Sequence, residues 1–268
     1  MTRRQILRLL LGLPAAPWAV SAAALLAPGR AGRAQAAQPR MREPLSNVFV
    51  FAQLQYRGGE WDPNPLGVGP LLEELMLRTS IEPAPQRQVL TAADPQLFAF
   101  PFLYMAGRYE FQAFTPAEVE ALGRFLHAGG FLFADDALGR PGSGFDRGFR
   151  ALIRQLFPAQ ELRRLPLDHS VFRSFYLTRS VGGRQLASPF LEGITIDEWT
   201  PVILSQNDHG GAWARDRQGS WLYQCVPGGE AQRKAAFLMG LNIIVYALSE
   251  NYKRDILHHP FIKRRLNL

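Results

Sequence analysis

The 268-residue chain contains a single cysteine, Cys225. One thiol cannot close an internal disulfide, so no covalent staple holds this fold. It also excludes zinc sites built on several cysteines. No Gly-x-Ser-x-Gly elbow occurs, which removes a familiar signature of a serine nucleophile on an α/β sheet. The glycine-rich stretch Gly139-Arg140-Pro141-Gly142-Ser143-Gly144 lacks the Lys-Ser/Thr of a P-loop and the dinucleotide fingerprint, and reads as a connection. No internal repeat points to a solenoid or propeller.

Charge of one sign is also scarce once its location is considered. The formal net charge is +7, from 30 basic and 23 acidic residues. Arg3, Arg4, Arg8, Arg30 and Arg33 fall within the first 36 residues, where there is no acid, which leaves 25 bases against 23 acids elsewhere. A nearly neutral body without basic blocks excludes a nucleic-acid partner. The tail cluster Lys263-Arg264-Arg265 reads as a solvated end.

What is present begins with a leader. Thr2-Arg3-Arg4-Gln5-Ile6-Leu7-Arg8 precedes an apolar stretch from Leu9 to Ala27 and the small-x-small site Ala34-Gln35-Ala36. This order resembles a twin-arginine translocation signal. It implies that the folded chain is carried to the periplasm by the twin-arginine translocase. Cleavage frees the protein, and retention of the leader would make it a membrane anchor. The organisation expected is a signal peptide over residues 1–36, a linker over 37–46, one α/β domain over 47–250 and a C-terminal extension over 251–268.

Within the domain, the apolar run Val48 to Tyr56 predicts a strand buried on both faces, as in a parallel sheet. Phe102–Gly107 and Phe131–Ala134 predict two more, Gln88–Leu90 a short one and Val202–Ser205 another. Helical spacing covers residues 71–81. Thr115-Pro116-Ala117-Glu118 is a capping box that opens a helix ending at Gly129-Gly130. Further helices are expected over 145–157 and 230–248. Ala235–Leu248 spans only ~21 Å at 1.5 Å per residue, too short to cross a bilayer. Residues 158–200 read as irregular, Asn207–Gly211 as a turn, and 219–225 as a further strand. Strands alternating with helices imply a parallel sheet covered on both faces.

Several segments carry a family resemblance. They are Phe51–Tyr56, Pro101–Gly107, Gly129–Asp136, Leu165-Pro166-Leu167-Asp168-His169 and Leu241–Leu248. In this order they resemble the bacterial family called domain of unknown function 4159. The resemblance implies a flavodoxin-like, class I glutamine amidotransferase-like three-layer sandwich with a mostly parallel sheet. It implies no activity and no cofactor. The turn where amidotransferases carry their nucleophilic cysteine corresponds here to Met105-Ala106-Gly107-Arg108, which has none. Cys225 lies far along the chain without a glycine elbow, so amidotransferase activity is not expected.

In open α/β sheets, ligands collect at the carboxyl ends of the strands. Gln55-Tyr56, Gly107-Arg108, Asp135-Asp136 and Ser205-Asn207-Asp208-His209 fall at such ends, and Asp168-His169 is expected to fold over the same edge. Asp135 and Asp136 together suit a hard cation, or one of them a general base. Against that, acids at strand ends also cap loops and helices. His209, His169 and Asp135 would supply a mixed nitrogen and oxygen ligand set. His169 beside Asp168 offers acid–base chemistry or a loop anchor. Asn242 in its apolar helix reads as a packed amide, and His258-His259 as surface residues. Two functions follow as expectations. The first is a non-catalytic module of the cell envelope that binds a small polar ligand or an envelope protein. The second is a metal-assisted hydrolase acting on a carbohydrate or envelope substrate.

Overall fold

The computed structural model describes the backbone of residues 48–266 except 143 and 198, and side chains as far as Ser249. The leader, the linker, and the side chains of His258, His259 and the Lys263–Arg265 tail lie outside the described residues.

The strands are β1 (Val48–Phe49), β2 (Ala52–Leu54), β3 (Glu82–Pro83), β4 (Gln88–Leu90), β5 (Phe102–Gly107), β6 (Phe131–Asp136), β7 (Arg163–Arg164), β8 (Glu192–Ile196) and β9 (Trp199–Ser205). The helices are α1 (Val68–Arg78), α2 (Pro116–His127), α3 (Gly144–Leu156), α4 (His209–Trp213) and α5 (Gly229–Leu266). Short 3-10 turns occupy Pro95–Ala99 and Ser170–Arg173. The main sheet has the order β4-β2-β5-β6-β9-β8-β7. The first five strands are parallel, and β8 runs antiparallel to both β9 and β7. The fold is therefore α/β with a mixed, mostly parallel sheet.

Alternation along the strands builds two cores. Phe102, Tyr104, Phe131, Phe133 and Ile203 face α1, α4 and α5. Leu103, Met105, Leu132, Ala134, Val202 and Leu204 face α2 and α3. Each central strand is buried on both faces, which is why its sequence is an unbroken apolar run. The helices follow from their own codes. Leu71, Leu72 and Leu75 line the buried side of α1. The hydroxyl of Thr115 accepts from the Glu118 amide at 3.3 Å, and the Thr115 amide donates to the Glu118 carboxylate at 2.6 Å, closing the capping box of α2.

Four expectations change. The predicted strand from Val48 to Tyr56 is split, because β1 pairs with β3 in a separate two-stranded sheet and only β2 enters the main sheet. The irregular stretch 158–200 contains the antiparallel strands β7 and β8. Glycine at 193 and a half-exposed face dilute their apolar signal. No strand forms over 219–225. Trp221 bridges only to Arg215, and the Val226 amide donates to the Arg184 carbonyl at 2.8 Å, so the segment spends its amides on separate partners. Helix α5 continues through the boundary expected at residue 250. Among the described residues no helix is long and apolar enough to cross a membrane.

Gly182 ties the 158–200 segment to α5. Its φ is +65°, and a Cβ there would lie 2.1 Å from the Ala236 amide nitrogen. Gly182→Ala therefore meets both left-handed strain and a backbone clash. The expected loss of stability is roughly 3 kcal/mol, checked by urea denaturation.

Candidate functional site

The site is built where β5, β6 and β9 end together. Register pairs Ala106 with Asp135, Gly107 with Asp136, and Asp135 with Ser205. Asp135 and Asp136 are both fully buried. As consecutive strand residues they point to opposite faces. Asp135 joins the side of Tyr104 and α4, whereas Asp136 joins the side of Tyr56 and α3, so the two do not form one ligand pair.

Asp135 is saturated. Its Oδ1 accepts from the His209 amide at 2.9 Å, and its Oδ2 accepts from the Gly210 amide and the Tyr104 hydroxyl, both at 2.8 Å. The amides are the first donors of α4, which have no partner within the helix. Burial pushes this carboxyl upward. The His209 imidazole, 3.7 Å away, and the two amides outweigh that and hold it below the usual carboxylate value. The Tyr104 phenol is pushed well above its ordinary value by burial and by the Asp135 charge.

His209 is fully buried. Its Nε2 lies 2.8 Å from the Val181 carbonyl oxygen, and its Nδ1 3.0 Å from the Ser205 hydroxyl. A carbonyl only accepts, so Nε2 carries a proton. The ring also packs edge-on against Phe133.

Asp208 caps α4 from the left-handed region, with φ of 55°. Its Oδ1 accepts from the Gly211 amide at 3.0 Å and from the Asn64 side-chain amide at 2.7 Å. Its Oδ2 accepts from Arg184 Nε. Burial, reinforced by the Asp135 charge, raises its pKa to about 6 against the pull of Arg184.

Asp136 differs. Its Oδ1 accepts from the Leu138 amide at 2.8 Å and the Gly139 amide at 3.3 Å, but its Oδ2 has no hydrogen-bond partner. Burial raises its pKa to about 7, with the charges of Asp135 and Asp146 adding to the effect.

A family model described as Domain of unknown function (DUF4159) matches residues 50–248. The chain belongs to this family. No curated protein matches it.

The DUF4159 domain places the remaining candidates as follows. Tyr56 is buried, and its hydroxyl donates to the Ala106 carbonyl at 2.6 Å. Gly107 sits beneath it, where a Cβ would lie 2.1 Å from that hydroxyl oxygen and 2.7 Å from the Phe145 ring. The space between the ends of β2 and β5 is thus filled by the domain's own side chains. Gln55 is exposed. Asn207 is buried and closes a two-way clasp with the Ser188 backbone, at 2.8 and 2.7 Å.

Asp168 and His169 do not reach this edge. The His169 Nε2 lies 3.0 Å from the Thr200 hydroxyl, at the opposite end of β9 from Ser205. Its Nδ1 accepts from the Val171 amide at 3.2 Å and so caps the 3-10 turn, while Asp168 is exposed. The expected place over the carboxyl edge is not found, and of the two readings for His169 the structure shows the loop anchor. His169 therefore cannot join His209 and Asp135 around one ion. Among the described residues no three His, Cys, Asp or Glu side chains are grouped to hold a metal. Cys225 is buried and its thiol is pushed upward by burial, opposite to an activated nucleophile. Asn242 is a packed amide, accepting from the Tyr176 amide at 2.7 Å and donating to the Tyr176 carbonyl at 2.8 Å.

Sequence reasoning missed Tyr104, Asn64 and Arg184. Tyr104 lies inside a strand that reads as pure core. Asn64 and Arg184 come from loops with no periodicity to place them.

Proposed function

We propose that the chain is exported to the periplasm by the twin-arginine pathway. Its DUF4159 domain acts there as a non-catalytic binding module of the cell envelope, on a flavodoxin-like, class I glutamine amidotransferase-like fold. The strand order supports the fold reading. Numbered in chain order, the five parallel strands β2, β4, β5, β6 and β9 run 2-1-3-4-5 across the sheet, the flavodoxin order.

One observation carries the non-catalytic reading. Asp135, Asp208 and His209, gathered at the carboxyl edge, are turned inward and engaged by the chain itself, and the one unpartnered oxygen, Oδ2 of Asp136, belongs to a fully buried side chain. A general base needs a free atom within reach of a substrate proton. His209 has one nitrogen on a carbonyl, the other on a hydroxyl, and no exposed surface. The alternative hydrolase would need His169, His209 and Asp135 in one cluster, and His169 lies at the far edge.

The purified chain is expected to cleave none of a panel of chromogenic glycoside, ester and amide substrates, with or without added divalent cations. Hydrolysis that His209→Gln abolishes without lowering Tm would overturn this reading. Export is checked separately. Replacing Arg3 and Arg4 together by lysine is expected to remove the protein from the periplasmic fraction and leave it in the cytoplasm.

A further inference from the structure

Asp135, Asp136, Asp208 and His209 are buried at the carboxyl edge, which directs attention to other surfaces of the domain. A cleft of about 160 Å³ opens on the α1 and α5 side. Its wall is basic and aromatic, formed by Arg78 of α1, Arg233, Lys234 and Phe237 of α5, and Arg215 and Trp221 of the segment between α4 and α5. One water needs ~10–15 Å³ of such volume, so the space holds a chemical group rather than a lone solvent molecule.

The acids of the cleft are already engaged. Glu74 accepts from Arg78, one helical turn away, and Glu230 accepts from Arg233 at 3.0 Å. Arg233 also donates to the carbonyls of Ala212 and Tyr223, both at 2.6 Å. Arg215 and Lys234 are left, and neither makes an ion pair or side-chain hydrogen bond among the described residues.

Arg215 is held in place without being satisfied. Its guanidinium lies 4.0 Å from the centre of the Trp221 ring and 5.9 Å from that of Phe237. Arg233 lies 4.2 Å from the same indole, so two guanidinium charges share one ring. The Nε of Arg215 is buried and has no acceptor. A buried donor without a partner is costly, and the excess of basic over acidic side chains in the cleft, Arg215 and Lys234 beyond the two pairs, adds to that cost. The planar guanidinium of Arg215, whose N–H groups make no side-chain hydrogen bond among the described residues, matches an oxyanion, which can accept two of its protons at once.

We propose that this cleft is the ligand site of the module and that it takes an oxyanion, a carboxylate or phosphate group. Arg215 is the principal donor, Lys234 the second charge, and Trp221 with Phe237 forms the apolar floor. This inference rests on the binding-module reading above.

Calorimetric titration of the purified chain tests it. The probes are inorganic phosphate, acetate, N-acetylmuramic acid and the uncharged N-acetylglucosamine. Binding of at least one oxyanion at a single site is expected, with no heat from N-acetylglucosamine. The relative affinities of phosphate and the two carboxylates identify which oxyanion is the natural group. Arg215→Met is expected to weaken binding about ten- to a hundredfold, the value of a charged hydrogen bond. Lys234→Met should weaken it less. Lys234→Met should leave the ligand-free Tm unchanged, because its side chain makes no ion pair or hydrogen bond among the described residues, whereas Arg215→Met gives up its contacts with the Trp221 and Phe237 rings and should lower the Tm slightly. Equal affinity in wild type and Arg215→Met overturns the proposal, as does the absence of binding by every oxyanion up to about 10 mM, weaker than millimolar affinity. If the oxyanions fail while the hydrolase panel stays uncleaved, only the cleft assignment falls. Hydrolysis dependent on His209 would instead overturn the non-catalytic reading and leave the titration to stand alone.

Discussion

Asp135→Ala is expected to destabilise the protein by on the order of 5 kcal/mol, the largest effect among single substitutions at the carboxyl edge. The loss strands three donors that no water reaches: the Tyr104 hydroxyl and the amides of His209 and Gly210. Each stranded buried donor costs ~1–3 kcal/mol. It also removes the anion beside the His209 ring, 3.7 Å away. Two companion variants separate these contributions. Tyr104→Phe removes one hydrogen bond and leaves the carboxylate paired with α4, so about 1 kcal/mol is expected. Asp135→Asn keeps a carbonyl oxygen for one set of donors and should fall between the two. The losses will not add, because the groups share one network. Urea denaturation of the three variants measures this, and an Asp135→Ala protein within ~1 kcal/mol of wild type, the usual range of a neutral surface change, would sink the idea of a structural keystone.

Asp136 gives the second large effect, in pH dependence. Its folded pKa of about 7 lies above the unfolded carboxyl value of about 3.9. The folded state therefore binds the proton more tightly than the unfolded chain. Its stabilising contribution is complete below about pH 4, declines as the pH rises and is gone above pH 7. At ~1.4 kcal/mol per pH unit, the decline amounts to on the order of 4 kcal/mol. Asp208, raised to about 6, acts in the same direction over a narrower window. Asp135, held low, acts the opposite way, and only as the pH falls below the unfolded carboxyl value. Asp136→Asn is uncharged at every pH and is expected to flatten most of the decline between pH 5 and 7.5, leaving the part due to Asp208. Guanidinium midpoints at those two pH values measure it. Parallel profiles for wild type and Asp136→Asn would show that the Asp136 carboxyl is not the titrating group.

Central architecture was legible because burial on two faces writes itself as unbroken apolar runs. Phe102–Gly107 and Phe131–Ala134 fall within β5 and β6, and the Thr115 capping box marks the start of α2. The antiparallel side was not legible. Strand β8 pairs through Glu192, Gly193 and Ile194, a run too polar and too short to stand out. The site was legible in composition but not in connectivity. Strand ends located Asp135, Asp136 and Asp208, yet adjacency in sequence suggested a pair that the pleat divides. His169 followed the same pattern, since a loop residue has no period to say which end of the sheet it reaches. The basic cleft gave no signal at all, because Arg78, Arg215 and Lys234 lie in three separate stretches of the chain.

The flanks of the sheet have a consequence for self-association. One side ends in β4, three residues long, and the other in β7, which consists of Arg163 and Arg164, both exposed. Arg164 lies over the Phe190 ring, 4.9 Å from its centre. Brief borders with cations at one of them offer little template for an incoming strand. Copies of this protein crowded together should resist stacking into continuous fibrils through these two borders of the main sheet.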